Sequence, residues 1–396
     1  MTYRLPVLAA LLCASLGAAA DVLTGIDVLA RDGFDTLAGQ RIGLVTNHTG
    51  LARDGRSTIE LLHGADNVAL VRLFSPEHGP RGELDEADIG DSRDPATGIP
   101  VVSLYGEHRR PTAAMLEGLD TIVFDIQDIG TRFYTYISTM GNAMLSAAEH
   151  GKRFVVLDRP NPINGRDVAG PVLDDGKQSF VGFHTLPVRH GMTVGELAMM
   201  FRDELGLDLD LHVVQLDGWT RDTWFDETGL AWVNPSPNMR SLTEAILYPG
   251  IGLLETTNLS VGRGTATPFE LIGAPWLDAE ALAETLTAMG LPGIEFAPVH
   301  FTPDASTFAG EPCQGVRFTL TDRDRFEAVR TGLAIATVLR RDYHEQWHTE
   351  RYIGLLGNDA ALDALLEGGS AADIEARYAA DLEAFAKRRA HYLLYD

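Results

Sequence analysis

The sequence predicts an α/β fold in which a mostly parallel sheet carries helices on both faces, followed by a smaller α+β unit. Three observations predict it. Short runs apolar along their whole length recur through the first half of the chain, as strands buried on both faces require. Segments of helical spacing lie between them, which calls for right-handed crossovers and a doubly wound, Rossmann-like layering. Beyond about residue 273 the order changes to a helix, two strands and two helices.

The elements follow in order. Residues 1–20 (MTYRLPVLAALLCASLGAAA) place Arg4 ahead of an apolar run and Ala18-Ala19-Ala20 just before Asp21. That is the pattern of a cleaved secretory signal peptide, and the run is shorter than the ~20 residues that span a bilayer. Leu12 is too large to precede a lipoprotein cysteine at Cys13. After cleavage Cys313 stands alone, so no internal disulfide is expected. No later segment is long and apolar enough to span a membrane, and a periplasmic or secreted protein is expected.

Residues 41–46 (RIGLVT) read as the first strand and 57–63 as a helix; 68–74, 100–104, 121–125 and 154–158 read as further strands, with an amphipathic helix over 137–150. A helix over 193–205 and a strand over 211–216 extend the sheet. The Pro, Gly and Asn-rich passage 234–264 has little periodicity. Helices over 278–289, 325–341 and 371–391 and strands over 295–301 and 315–320 form the second unit. Without an internal repeat or low-complexity linker, the two units are expected to pack together.

The chain has 396 residues, 45% hydrophobic and 22% charged, an ordinary globular balance. Lys and Arg number 32 against 56 Asp and Glu, a net charge of −24. This excess argues against nucleic-acid partners and anionic membrane surfaces, both of which need clustered cations. Only Lys152, Lys177 and Lys387 are lysines; the remaining cations are arginines, which suit bidentate carboxylate recognition.

In a parallel sheet the residues just past each strand converge on one edge, where ligands bind. Those residues are Asn47 and His48, Glu77 and His78, Asp125 with Gln127, Asp128 and Arg132, and Asp158, Arg159 and Asn161. Strand ends are often polar because they are exposed, but two features go further. Glu77 sits between Pro76 and Gly79-Pro80, a rigid turn. Residues 125–132 pack opposed charges beside Phe133, Tyr134 and Tyr136, the combination a sugar site uses.

Other chemistries are set aside. The first strand leads into TNHTG rather than a G-x-G-x-x-G turn, and no Walker or G-x-S-x-G string occurs. The 12 histidines show no metal-ligand spacing, so neither metal nor cofactor is expected. Residues 260–265 (SVGRGT) form a small-residue turn carrying Arg263, either an anion-binding nest or simply a tight loop.

Several strings, in order, resemble the exo-β-N-acetylmuramidase (NamZ) family, formerly a domain of unknown function: SPEHGPRG (75–82), VFDIQDIGTRFYTY (123–136), DRPNPING (158–165), HGMTVGELA (190–198), PSPNM (235–239) and NLSVGRGTATPFELIGAPW (258–276). The resemblance implies a glycosidase releasing N-acetylmuramic acid from the non-reducing ends of peptidoglycan fragments. It implies a Rossmann-like catalytic domain and a smaller C-terminal domain closing the cleft; with the signal peptide read over 1–20, these are expected over 21–250 and 251–396. The glutamate of the S-P-E-H-G motif, its suspected catalytic residue, falls on Glu77, with His78 beside it.

Glycoside hydrolysis needs a proton donor and usually a second carboxylate. Glu77 is expected as the general acid, with Asp125 or Asp128 as the second group or as the residue orienting a participating 2-acetamido group. Asn47, His78 and Tyr134 are expected to bind the sugar, and Arg132 or Arg263 its lactyl carboxylate. The rival readings are a non-catalytic periplasmic binding protein for amino sugars or muropeptides, and an esterase or deacetylase acting on wall fragments.

Overall fold

The structure is a computed structural model that describes residues 21–81, 90 and 92–396. The expected signal peptide over 1–20 and Gly82, the last residue of SPEHGPRG, lie outside the described residues. The described strands are β1 (Arg41–Thr46), β2 (Ala69–Ser75), β3 (Ser92–Arg93), β4 (Pro100–Ser103), β5 (Thr121–Asp125), β6 (Arg153–Leu157), β7 (Ala169–Val172), β8 (Pro187–Arg189), β9 (Leu211–Val214), β10 (Leu271–Ala274), β11 (Ile294–Phe301) and β12 (Cys313–Leu320).

The main sheet has seven strands in the order β3-β4-β2-β1-β5-β6-β9. Its pairs are parallel except β3 against β4 at one edge. Apolar runs such as TIVFD in β5 are buried along their whole length because helices cover both faces. One face packs Ile26, Leu29, Leu61 and Leu62 against Ile42, Leu44, Val123 and Val155. The other packs Ile137, Met140 and Met144 against Phe124, Phe154 and Val156. That second core continues into Val316, Leu339 and Ile374 of the C-terminal part, so the two parts share one interior.

The C-terminal part is built on the antiparallel sheet β10-β12-β11, and β7 and β8 form a separate antiparallel pair. Helices begin at sequence-encoded caps. Ser57 with Glu60, Thr193 with Glu196 and Ser370 with Asp373 each close a reciprocal pair of bonds that satisfies first-turn N–H groups.

Several described elements go beyond the sequence reading: the helices Gly25–Arg31 and Asp359–Leu366, the strands β3, β7, β8 and β10, and a helix inside the passage of little periodicity. The passage 234–264 contains the helix Leu242–Ile251, in which every residue from Glu244 onward is buried. With no solvent face there is no polar stripe to mark a helical period. The helix crosses Ala328–Asp342 at Gly250 and Gly332. A β-carbon on Gly250 would stand 1.9 Å from the Ala328 carbonyl oxygen, and one on Gly332 2.4 Å from that of Gly250. Only glycine allows the two backbones this close.

Candidate active site

A cavity of about 410 Å³ opens at the edge of the main sheet where β2 and β5 end. The N-terminal part contributes Glu77, His78, the segment Phe133 to Tyr136 and Tyr248; the C-terminal part contributes Glu255, Arg263 and Arg351. Both parts are therefore needed to form it. A larger hollow of about 660 Å³ lies near β7, β8 and the helix Ala371–Arg389. There the charges pair among themselves, Arg330 with Glu327 and Glu375 and Arg189 with Asp167, and the strand-end residues do not reach it.

Glu77 is placed by the bend after β2. His78 adopts a left-handed conformation (φ 68°) and Gly79 another (φ 73°), while Gly79 N–H donates to the Pro76 carbonyl at 3.1 Å. A non-glycine residue held at positive φ costs free energy, and such residues gather at functional sites. The half-buried Glu77 accepts a hydrogen bond at Oε2 from the Thr135 hydroxyl, at the residue that begins the helix Tyr136–Glu149.

The wall beside Glu77 is aromatic. Tyr134 meets Tyr136 edge-on with centroids 5.1 Å apart and Tyr248 at 6.0 Å. Tyr248 packs on Phe133 at 5.1 Å and on Phe269 at 4.7 Å. Burial raises the Tyr134 and Tyr248 phenols above their usual range, and the charges of Glu77 and Glu255 push the same way. They stay neutral, able to donate or pack beneath a sugar ring. Glu255 is ion-paired with Arg263, whose guanidinium also lies 5.6 Å from the Phe269 ring centre.

The structure thus brings Glu77, His78, Tyr134 and Arg263 to one cavity and sends the other expected residues elsewhere. Asp125 is fully buried and gripped by Arg159, Nε to Oδ1 at 2.5 Å and Nη2 to Oδ2 at 2.9 Å, with the Thr58 hydroxyl as a further donor. It joins the ends of β5 and β6 beneath the surface. Asp128 is also buried and does not line the cavity. Its Oδ2 accepts from Gly130 N–H at 2.7 Å and lies 3.8 Å from His190 Nε2, and burial raises its carboxyl to about 7.

Arg132 is turned fully inward. Its guanidinium donates to the carbonyls of Pro171 and Leu186 at 2.9 Å each, Leu355 at 2.5 Å and Leu356 at 2.8 Å. Burial lowers it to about 9. Asn47 spends Oδ1 on the Thr49 N–H and hydroxyl at 2.9 and 2.6 Å, closing its own loop. Asp158, another strand-end carboxylate, holds the start of Val194–Glu204 and accepts from the Tyr395 hydroxyl at 2.6 Å.

Sequence reasoning missed Glu255, Tyr248, Ser236 and Arg351, all lining the cavity. Glu255 lies three residues before the start of NLSVGRG, so its adjacency to that motif was the available signal. Arg351 stands in a segment with no motif.

Two family models match the chain, "Exo-beta-N-acetylmuramidase NamZ, N-terminal" over residues 42–243 and the corresponding C-terminal model over 246–395. The peptidoglycan beta-N-acetylmuramidase NamZ of Bacillus subtilis (strain 168) is 45% identical over 378 residues, 94% of this chain and 91% of that protein. Among solved structures, a DUF1343 family protein of Bacteroides fragilis NCTC 9343 superposes with a TM-score of 0.89 at 38% identity, covering 95% of this chain and 100% of that one. A second from the same organism gives 0.78 at 32%, covering 95% and 99%. By these matches, which span both parts of the fold and meet around the residues of the cavity, the chain belongs to the exo-beta-N-acetylmuramidase NamZ family.

Proposed function

We propose that this protein is an exo-acting glycoside hydrolase that releases N-acetylmuramic acid from the non-reducing ends of peptidoglycan fragments. The observation that carries the reading is Glu77, a carboxyl held in a stiff bend against an aromatic and hydroxyl-lined cavity of sugar size, in a chain of this family. Glu77 acts as the general acid, giving its proton to the glycosidic oxygen as the bond to the anomeric carbon breaks. A water oxygen bonds to that carbon and gives up a proton, which restores the acid, so the products are free N-acetylmuramic acid and the released hydroxyl. Thr135 fixes the carboxyl's direction. The phenols of Tyr134 and Tyr248 present a ring wall to the pyranose.

Among the described residues, the carboxylates lining the cavity are Glu77 and Glu255. Glu255 therefore replaces Asp125 and Asp128 as the second acidic group of the mechanism, with Arg263 setting its orientation. Asp125 and Asp128 act from behind, stiffening the loop that carries Tyr134 and Thr135.

Export completes the reading. The pattern of residues 1–20 supports cleavage after Ala20 and a peptidoglycan-facing compartment, and among the described residues no helix is long and apolar enough to cross a membrane. Mass spectrometry of the protein recovered from its host should find Asp21 at the N-terminus; an intact Met1 contradicts cleavage.

Incubation with a muramic–glucosamine disaccharide tests the activity. The wild-type chain should release free N-acetylmuramic acid, and the Glu77→Gln variant should do so slower by ~10²-fold or more. A bound but uncleaved disaccharide favours the binding-protein reading, and loss of an acetyl group favours a deacetylase.

A further inference from the structure

We infer that Arg351 binds the lactyl carboxylate of N-acetylmuramic acid and so sets the preference for muramic over glucosamine ends; this rests on the muramidase reading for the identity of the ligand. A substrate carrying a carboxylate enters a cavity already lined by Glu77 and Glu255, on a protein with a net charge of −24. It needs a cation whose charge is not already spent.

The arginines divide clearly on that criterion. Arg132 gives both of its Nη groups to four carbonyl oxygens in the interior. Among the described residues, two arginines line the cavity, Arg263 and Arg351. Arg263 is committed to Glu255. The exposed Arg351 side chain makes no hydrogen bond or ion pair among the described residues.

Its backbone is nevertheless held. Tyr352, next in sequence, is fully buried with its ring 5.8 Å from Trp347. The Arg351 carbonyl accepts from Gly354 N–H at 3.0 Å, and the following turn, Ile353–Leu356, presents the Leu355 and Leu356 carbonyls to Arg132. The inward arginine thereby anchors the segment that offers the outward one. An unpaired planar guanidinium on a fixed base can meet a carboxylate bidentately at little ordering cost.

NMR titration separates this from general electrostatics. Wild-type protein and the Arg351→Ala and Arg351→Lys variants are titrated with N-acetylmuramic acid, its uncharged methyl ester and N-acetylglucosamine. The wild type should bind the acid at least ~10-fold tighter than the ester. Arg351→Ala should bind the two alike, with affinity for the ester and for N-acetylglucosamine unchanged, and Arg351→Lys should recover part of the difference. Arg351→Ala that still prefers the acid as strongly as the wild type overturns the assignment, as does a wild type indifferent to the charge. Discrimination that depends on Arg351 in a chain that cleaves no disaccharide supports this assignment and contradicts the glycosidase reading.

Discussion

The Thr135 hydroxyl donates to Glu77 Oε2, tying the bend after β2 to the residue that caps the start of the helix following β5. Two separate strand ends thus aim one carboxyl group. Because a proton donor must stand within hydrogen-bond reach of the oxygen it protonates, its orientation is part of the chemistry.

Thr135→Val keeps the shape of this contact and removes the donor. The expected result is a kcat lower by about 10-fold, equivalent to ~1.4 kcal/mol, with KM for the disaccharide little changed. Thr135→Ser should restore most of the rate. A rise in KM at constant kcat would mean that Thr135 binds sugar rather than positions Glu77.

Arg132 links Pro171 and Leu186 of the N-terminal part to Leu355 and Leu356 of the C-terminal part. Arg132→Met fills similar space but leaves those buried carbonyls without their donor, at a cost of at least about 3 kcal/mol. Thermal or denaturant unfolding should show this loss of stability. A variant as stable as the wild type would contradict the cross-link.

Asp128 supplies a pH dependence of known sign. Burial raises its carboxyl from 3.8 to about 7, and the neighbouring His190, lowered by burial to about 3, stays neutral and does not hold the charge. The folded state therefore favours the protonated carboxyl. Its contribution is fully present below about 3.8 and is lost as the pH climbs to about 7, at on the order of 1 kcal/mol per pH unit. Asp128→Asn keeps an oxygen for Gly130 and cannot ionise. Its stability should fall less than that of the wild type between pH 4 and pH 7, as read from denaturant midpoints at each pH. Parallel curves would show that Asp128 does not titrate in this window.

The sheet was legible because runs such as RIGLVT and TIVFD are apolar on both faces, a pattern strand burial imposes directly. The bend at Glu77 was legible because Pro76 and Gly79 restrict the backbone around it. What one sequence does not reveal is whom a charge meets. Arg132 and Asp125 sit among glycine, threonine and aromatics much as ligand-binding residues do. Yet Arg132 turns inward to distant carbonyls and Asp125 pairs with Arg159 from the next strand end. The helix Leu242–Ile251 escaped for a different reason, since a helix buried from Glu244 onward has no polar face to mark its period.

The central claim is that Glu77 delivers the proton that breaks the glycosidic bond. It is tested most directly by following a muramic–glucosamine disaccharide by NMR with wild-type protein and with Glu77→Gln, measuring turnover and affinity in the same samples. The expected result is release of N-acetylmuramic acid by the wild type, with turnover down ~10²-fold or more in the variant and binding changed only a few-fold. Turnover in Glu77→Gln within about threefold of the wild type would contradict it.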